Sequence, residues 1–374
     1  MERFVERTAV GTRPESNTPV SVEEFVRRAD ENPSGMAAAV RGGMRVPVSN
    51  RRRLTLLLVL ARPATSVAVL LAYVLGYSYT GQGYGWRAAA GLGISFLISA
   101  GGDLYNACSD LEEDIRNQPR RVYLVAEAGY RLVLASAILV SIPIALGGVL
   151  FIPYFLVLML VAVVGLHQYS FPPLRAKAKP IIGLLAFAQA GIFPFVMGWM
   201  SQPSWRRPPT ECVAMFAFFV VFRVARAGVK NLPDFFGDSA AGLRTSASVF
   251  SSLPRAVAAA MALTMAAFAV LSVTIILGLT PFRLILVVPL VVPLVWHLQR
   301  FSFVSDAAAG NALHLMGLEL WAAVLGAVIL VAHPGWTSVM ACAAAGMLMA
   351  LSLRLRVDPR VLGAQPSGGS NENV

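Results

Sequence analysis

Residues 256–279 read AVAAAMALTMAAFAVLSVTIILGL, and no charged side chain interrupts these twenty-four positions. An α-helix of about 20 apolar residues is long enough to cross the hydrocarbon core of a bilayer. Residues 54–77, LTLLLVLARPATSVAVLLAYVLGY, form a second block of the same length, with Arg62 as its charged residue. The apolar residues in both blocks are continuous rather than periodic, which indicates membrane spans rather than the helices of a soluble core.

Similar blocks recur along most of the chain. Of 374 residues, 56% are hydrophobic and only 14% are charged, whereas a soluble domain carries about 25% charged residues. The sequence therefore predicts an all-α, polytopic transmembrane helical bundle of about nine or ten spans. The blocks lie near residues 54–77, 87–107, 122–146, 149–168, 180–200, 211–230, 254–279, 281–298, 310–332 and 335–354.

Membrane topology explains the net charge of +11, since Lys and Arg are enriched in the cytoplasmic loops of membrane proteins. We therefore expect no nucleic-acid partner. Alternate loops are basic, which predicts that both termini and the basic loops lie in the cytoplasm. We expect a multi-pass protein of a bacterial cell membrane. The basic residues are Arg51, Arg52, Arg53, Arg116, Arg120, Arg121, Arg175, Lys177, Lys179, Lys230, Arg244, Arg354, Arg356 and Arg360.

The first fifty residues are polar and contain no long apolar block. Within them, Ser21 precedes a short helical pattern as an N-cap, and Glu24 lies at the position that completes a capping box. The rest of this segment resembles a flexible arm in composition. The sequence predicts three regions: a flexible cytoplasmic arm over 1–50, a transmembrane domain over 51–356 and a flexible tail over 357–374.

An acidic cluster follows the second predicted span. Asn106, Asp110 and Asp114 are four residues apart, so on a helix they share one face, and Asp103 lies about one turn earlier. A solvated charged loop between helices is the alternative explanation. Asp103 is a candidate base or acceptor-positioning group, or else the partner of a nearby cation.

A second acidic cluster, Asp234 and Asp238, follows the sixth predicted span on the same side of the membrane. Pro233 is expected to end or bend the helix there. Carboxylates brought together without counter-ions repel one another, and a shared multivalent cation removes that repulsion. Magnesium binds through a few carboxylates and substrate phosphates, so the two clusters predict a site for magnesium and a diphosphate.

Basic side chains near these clusters suit a phosphorylated ligand. Arg226 and Lys230 are four apart on the sixth span, and Arg175 and Lys177 lie in one loop. Arginine binds phosphate oxygens with two parallel hydrogen bonds, and lysine acts as a point charge. Together they favour an anionic substrate at the predicted cytoplasmic face.

Arg62, Arg223 and His314 are further ionisable residues that lie within apolar blocks. Arg62 and Arg223 are functional candidates, because charged groups inside a membrane are costly, although extension of their long side chains to the interface is the alternative. His314 is expected to make a structural hydrogen bond rather than to take part in catalysis.

These motifs, taken in order, resemble those of the UbiA superfamily of intramembrane prenyltransferases. The resemblance covers about residues 54–335. Two positions depart from the family pattern: Ala107 follows the motif asparagine, and Asn231 stands where aspartate is common. The matching segments are Arg62–Pro63, Asn106-x-x-x-Asp110-x-x-x-Asp114 with Asn117–Arg121, Tyr169–Lys177, and Arg226-x-x-x-Lys230-Asn-Leu-Pro233-Asp234-x-x-Gly237-Asp238 continuing to Thr245.

The resemblance implies a helical bundle around a central cavity and two magnesium ions that bind a prenyl diphosphate. Arg175, Lys177, Arg226 and Lys230 would stabilise the departing diphosphate, and Tyr169 would lie beside the resulting cation. The metal ligands would be Asn106, Asp110, Asp114, Asp234 and Asp238.

The expected activity is magnesium-dependent transfer of an isoprenyl group to a lipophilic or aromatic acceptor, as in quinone or meroterpenoid synthesis. A membrane-embedded terpene cyclase that ionises the same diphosphate is the first alternative. A lipid or small-molecule transporter is the second, since charges within spans also mark transport paths. Membrane lipids are expected partners, and no obligate protein partner is indicated.

Overall fold

The computed structural model describes residues 21–355, except 84, 152 and 202–207, together with 357 and 359. Sixteen α-helices and four short 3-10 helices make up the regular structure of these residues. The helices are α1 (Val22–Glu31), α2 (Pro33–Arg41), α3 (Asn50–Ala61), α4 (Pro63–Ser78), α5 (Trp86–Ser109), α6 (Leu111–Asn117), α7 (Pro119–Ala128), α8 (Tyr130–Phe151), α9 (Pro153–Ser170), α10 (Pro180–Met200), α11 (Thr210–Lys230), α12 (Phe235–Ala240), α13 (Leu253–Ile276), α14 (Val291–Gln299), α15 (Ala307–Ala332) and α16 (Trp336–Arg354).

Seven helical segments in the described part of the chain are long and apolar enough to cross a membrane. Two bent pairs, α3–α4 and α7–α8, raise the number to nine if each pair is one span. Helix α9 covers the remaining predicted block. The prediction of an all-α, multi-pass membrane protein is therefore confirmed. The seven segments are α5, α10, α11, α13, Phe282–Phe303, Ala308–Ala332 and α16.

The outer surface of the bundle carries large apolar side chains. Ile276, Phe303 and Trp336 are each more than four-fifths exposed, at 81%, 82% and 81%. A soluble monomer seldom exposes apolar surface on this scale. Contact with lipid chains accounts for it, because apolar side chains on a transmembrane helix replace the water-facing polar groups of a soluble protein.

Two of the predicted spans are bent in the structure. Helices α3 and α4 meet at 51°, where Arg62 adopts a left-handed backbone with φ 52° and Pro63 removes a helical hydrogen-bond donor. Helices α7 and α8 meet at 85° at Gly129, whose φ is 90°. Glycine adopts this conformation without a Cβ clash. The apolar blocks predicted the spans but not these bends.

Helix α4 lies at the centre of the bundle, in contact with α5, α10, α15 and α16. Its crossing with α10 is very close. A Cβ atom on Gly76 would lie 1.9 Å from the Phe195 carbonyl oxygen, and one on Gly198 would lie 2.2 Å from that of Tyr73. Small residues let membrane helices approach backbone to backbone in this way.

Gly76→Ala is expected to lower the stability of the bundle by about 1–3 kcal/mol, the usual range for overpacking. The added methyl would collide with a backbone carbonyl, which cannot rotate away as a side chain does. Thermal unfolding of the purified protein in detergent measures the effect. Gly93→Ala on α5 is the matched control, because nothing lies within 4 Å of its added Cβ. Equal melting temperatures for the two variants would contradict the prediction.

Part of the predicted N-terminal arm is folded. The Ser21 hydroxyl accepts a hydrogen bond from the Glu24 backbone at 3.2 Å, so the predicted N-cap is confirmed, while the Glu24 carboxylate binds Arg27 and Arg28. Phe25 is fully buried, and α1 and α2 pack against α6 and α7. Residues 1–20, and the predicted tail apart from 357 and 359, lie outside the described residues.

Candidate functional site

The two acidic clusters meet at one end of the bundle, around a space of about 420 Å³ that we call the carboxylate cleft. Helix α6 supplies one wall, and the segment from the end of α11 into α12 supplies the other. Five carboxylates and two ammonium groups line the cleft together with polar neighbours. The charged residues are Asp110, Glu113, Asp114, Lys177, Lys230, Asp234 and Asp238.

A second space of about 370 Å³, the inner cleft, adjoins the first. Asp110, Asp114, Asp234 and Lys230 line both spaces. Because aspartates from both sequence motifs border the same two clefts, the structure brings the predicted clusters together. The other residues of the inner cleft are Arg62, Asn106, Gln118, Arg121, Pro233 and Asn311.

The first cluster does not lie on one continuous helix. Helix α5 ends at Ser109 and α6 begins at Leu111, and Asp110 caps the junction. The helical hydrogen-bond pattern nevertheless continues, since Asp110 N donates to Asn106 O at 3.0 Å and Asp114 N donates to Asp110 O at 2.6 Å. The four-residue spacing thus keeps its side chains on one face across the break.

Gly237 allows the second cluster to approach the first. A Cβ atom at this position would lie 1.9 Å from the Asn117 side-chain oxygen. Helix α12 therefore rests directly on the end of α6. The glycine between Asp234 and Asp238 therefore permits this close approach.

Basic side chains partly neutralise the cleft. Arg121 donates to Asp114 at 2.6 Å, and Lys177 donates to Asp110. Glu113, which is not among the predicted site residues, accepts from Arg175 and lies 3.6 Å from Lys177. These pairs place the predicted phosphate-binding lysine at the cleft, whereas Arg175 lies beside the cleft without lining it.

Negative charge nevertheless remains in excess. Burial, together with the nearby Asp234 carboxylate, raises the pKa of Asp238 to about 8. Burial also raises the pKa of Asp114 to about 7, although Arg121 opposes this change. Burial alone would raise the pKa of Asp110, but Lys177 and Arg121 hold it below its usual value. An added cation would favour the ionised form of all three groups.

The oxygen-rich lining has the chemistry of a magnesium site. No three His, Cys, Asp or Glu side chains of the described residues are arranged to hold one metal ion by themselves. Magnesium rarely needs such a cage, because it binds through one or two carboxylates and completes its shell with water and substrate phosphates. The donor set therefore fits a metal that arrives with a phosphorylated substrate.

A larger space, which we call the apolar cavity, extends into the bundle from the clefts. It has about 1050 Å³ of free space, including its open mouth, between α4, α5, α9, α10, α11, α15 and α16. Its walls are mainly apolar and include Phe187, Leu318 and Trp321. Lys230 borders this cavity and both clefts. The central cavity implied by the family resemblance is present.

Tyr169 and Asn106 lie where the clefts and the apolar cavity meet. The Tyr169 hydroxyl accepts from Lys230 at 3.2 Å, and its ring lies 5.5 Å from the same ammonium. The Asn106 side-chain oxygen accepts from Ser170 at 2.6 Å. Both predicted residues are thus held in place by neighbours in the lining of the cavity.

Asp103 is paired with a cation. Its carboxylate lies 3.4 Å from Arg62 and accepts from the Thr65 hydroxyl at 2.6 Å. This geometry favours the partner role over that of a free base. It also explains why Arg62 remains buried at the bend between α3 and α4 rather than extending to the interface.

Arg226 differs in position from the other predicted phosphate ligands. It lines the apolar cavity but neither cleft, and it contacts His314 at 3.4 Å. The sequence spacing predicted that Arg226 and Lys230 share a helix face. The spacing could not show that Lys230 borders both clefts whereas Arg226 lines only the apolar cavity.

Thr245 and Asn231 are further lining residues of the carboxylate cleft that were not selected as site residues. The Asn231 amide donates to Ser246 at 2.7 Å, so it is held by a neighbouring hydroxyl. Of the residues that the sequence prediction missed, Glu113 could have been found most easily, since it is adjacent to Asp114 in an acidic run. Its importance depends on the loop that carries Arg175, which no local pattern predicts.

Comparison with curated proteins identifies a relative from the archaeon Halobacterium salinarum. The chain is 29% identical over 267 residues to its digeranylgeranylglyceryl phosphate synthase, and the match covers 71% of this chain and 93% of that protein.

Two solved structures of a UbiA homologue from Archaeoglobus fulgidus have the same fold. The form bound to GPP and Mg²⁺ matches with a TM-score of 0.56 and 18% identity, over 79% of this chain and 99% of that one. The form bound to DMAPP and Mg²⁺ matches with a TM-score of 0.53 and 20% identity, over 74% and 99%.

A match to a protein family identifies the family of this chain. Residues 65–321, more than two-thirds of the chain, match the UbiA prenyltransferase family. This range contains both acidic clusters, the Tyr169–Lys177 loop and most of the helices that enclose the apolar cavity, while α16 lies beyond it. The chain belongs to the UbiA prenyltransferase family.

Proposed function

We propose that this prenyltransferase binds the diphosphate of its donor, with magnesium, at the carboxylate and inner clefts and transfers the prenyl group to a lipophilic or aromatic acceptor in the apolar cavity. The proposed metal ligands are Asp110, Asp114, Asp234 and Asp238, with Asn106 at the edge of the inner cleft. The solved A. fulgidus forms contain Mg²⁺ together with DMAPP or GPP, which supports this pairing of metal and donor.

The main support for the proposal is the position of Lys230, at the junction where the two clefts and the apolar cavity meet. One side chain borders two oxygen-rich clefts and one apolar cavity. A prenyl diphosphate has this same division, because a highly charged head group is joined to a hydrocarbon tail. A ligand lying across the junction would have its reactive carbon next to Lys230.

The chemistry follows from this division. The bond between the prenyl carbon and the diphosphate oxygen breaks, and the diphosphate leaves with the bonding electron pair. An acceptor atom then forms the new bond to that carbon and loses a proton. Lys177 and Lys230 are positioned to stabilise the charge that develops on the leaving group, and bound magnesium would supply further positive charge there.

The apolar cavity protects the reaction from water. An allylic cation next to water would be captured as an alcohol, so the space around it must be dry. Phe187 and Tyr169 present aromatic rings near the junction, and such rings stabilise cations. We also propose, from the basic loops, that the clefts face the cytoplasm.

The proposed donor and acceptor can be identified together. Purified protein is incubated with geranyl, farnesyl or geranylgeranyl diphosphate, magnesium, and either host lipids or phenolic acids, and the products are analysed by mass spectrometry. We expect a prenylated acceptor and release of diphosphate that chelation of magnesium prevents.

Reactions without acceptor test the cyclase alternative. A cyclic hydrocarbon or alcohol formed from the donor alone would replace the transferase proposal with a cyclase. Diphosphate release that continues after magnesium is removed would refute the metal-dependent mechanism. Membership of a prenyltransferase family already argues against the transporter alternative.

A further inference from the structure

Five arginines lie near the bend between α7 and α8, at the surface of the bundle. The backbone that leads into α3 runs beside α7, and one hydrogen bond of 3.3 Å joins the two. A Cβ atom on Gly129, at the bend itself, would lie 3.7 Å from the Arg45 Nε. Arg52 on α3 lies 3.7 Å from Glu127 at the end of α7. The arginine cluster, as we call this group, consists of Arg45, Arg51, Arg52, Arg53 and Arg131.

The positive charge of the arginine cluster is mostly uncompensated. Among the residues that the structure describes, Arg52 pairs with Glu127, and the other four members are not within ion-pair distance of a carboxylate. The Nε of Arg53 is buried and has no hydrogen-bond partner in the same part of the chain. Guanidinium groups held close together repel one another. An anion bound among them would remove this repulsion and pair the buried nitrogen.

Insertion topology alone does not account for the arginine cluster. It explains why basic residues lie on this side of the membrane, but lysine would serve that purpose as well as arginine. Arginine differs from lysine in its planar fork of donors, which matches two oxygens of one phosphate. Four members of the cluster lie in the first turns of α3 and α8. Both helices enter the bilayer there, so these guanidinium groups lie at the level of lipid head groups.

Exposed apolar side chains continue below the arginines on both helices. On α3, Leu54 and Leu58 follow Arg51 by three and seven residues, so the three side chains share one helix face. On α8, Ile138 follows Arg131 by seven residues and shares its face in the same way. All three apolar side chains are more than half exposed. A phospholipid has the same arrangement, because its charged head group is joined to acyl chains that extend into the membrane.

We propose that the arginine cluster binds the phosphate of an anionic phospholipid, whose acyl chains lie along the exposed apolar faces of α3 and α8. Basic groups at the cytoplasmic ends of transmembrane helices recognise anionic head groups in this way. No member of the cluster lines the clefts or the apolar cavity, so the inference goes beyond the proposed function and does not depend on it. The bound head group would hold the end of α7 against α3.

Native mass spectrometry of the full-length protein measures this binding directly. Protein purified in detergent is titrated with dioleoyl phosphatidylglycerol, which is anionic, and with dioleoyl phosphatidylcholine, which has the same acyl chains and no net charge. One arginine near an anionic head group is worth about a fivefold gain in affinity. We therefore expect phosphatidylglycerol to bind about 25-fold more tightly, or better, if two or more arginines reach the phosphate. Equal affinities for the two lipids would overturn the inference.

A double variant, Arg45→Gln with Arg131→Gln, removes two exposed members of the cluster that make no ion pair with the described residues. Its affinity for phosphatidylglycerol should fall by about 25-fold, or about fivefold for each arginine. Arg255→Gln with Arg300→Gln is the matched control, because it removes the same charge from exposed arginines at the start of α13 and just after α14. An equal loss in the two double variants would mean that overall charge alone attracts the lipid, and it would overturn the inference.

Two further measurements test the phosphate contact and the acyl chains separately. Arg45→Lys with Arg131→Lys keeps both charges and loses the forked donors, so its affinity should lie between those of the wild type and the glutamine variant; it also serves if the glutamine variant does not fold. Unchanged affinity in the lysine variant would refute a paired contact to phosphate. An excess of glycerol 3-phosphate, which has the anion without acyl chains, should leave the lipid bound. Displacement of the lipid would identify a site for a soluble anion and overturn the inference.

Discussion

Replacing Asp234 with asparagine is expected to lower prenyl transfer by about 100- to 1000-fold, the loss typical of removing one electrostatic contact to a leaving group. Asp234 follows the end of α11 and lines both clefts, and Asp110 from the other motif lines the same two clefts. Asparagine keeps the shape of the side chain but loses the charge that binds a divalent cation. Asp110→Asn should behave in the same way.

Diphosphate release measured over a range of magnesium concentrations checks this prediction. Residual activity should require more magnesium than in the wild type. Asp30→Asn is the control, because it makes the same chemical change at an exposed position on α1. Retained turnover in either Asp234→Asn or Asp110→Asn, with normal thermal stability, would remove that residue from the proposed metal site.

The location of this site could be predicted because helical spacing is a local property. Asn106, Asp110 and Asp114 recur every four residues, and that periodicity survives the break between α5 and α6 because the backbone hydrogen bonds continue. The number of apolar blocks between the two motifs predicted that Asp234 and Asp238 lie on the same side of the membrane as the first cluster. Both inferences needed only the period of a helix and the thickness of a bilayer.

Other features depend on distant contacts and left no local pattern. The exposure of Phe25 is zero because α1 and α2 pack on α6 and α7, although the polar composition of this segment predicted a flexible arm. The absence of a side chain at Gly237 leaves room for Asn117, and its absence at Gly191 leaves room for Arg223. The spacing of residues in the sequence reveals neither contact. The division between the clefts and the apolar cavity, which separates Arg226 from Lys230, is likewise a property of the packed bundle.

Lys230→Met is expected to lower turnover by about 100-fold or more, because it removes the ammonium that borders all three spaces without much change in volume. The lysine is held in place by the Tyr169 hydroxyl at 3.2 Å and by the faces of the Tyr169 and Phe187 rings at 5.5 and 5.3 Å. A positive charge fixed in this way needs no rearrangement when the diphosphate departs.

Two comparison variants separate charge stabilisation from a structural role for Lys230. Tyr169→Phe removes the hydroxyl contact but keeps the ammonium, so we expect a loss of only a few-fold, the value of one hydrogen bond. Lys179→Met makes the same change as Lys230→Met at an exposed position in the loop before α10 and should retain activity. If Tyr169→Phe and Lys230→Met were equally impaired in single-turnover measurements, the lysine would act by positioning the tyrosine. A much larger defect in Lys230→Met would instead mean that its charge acts directly on the leaving group.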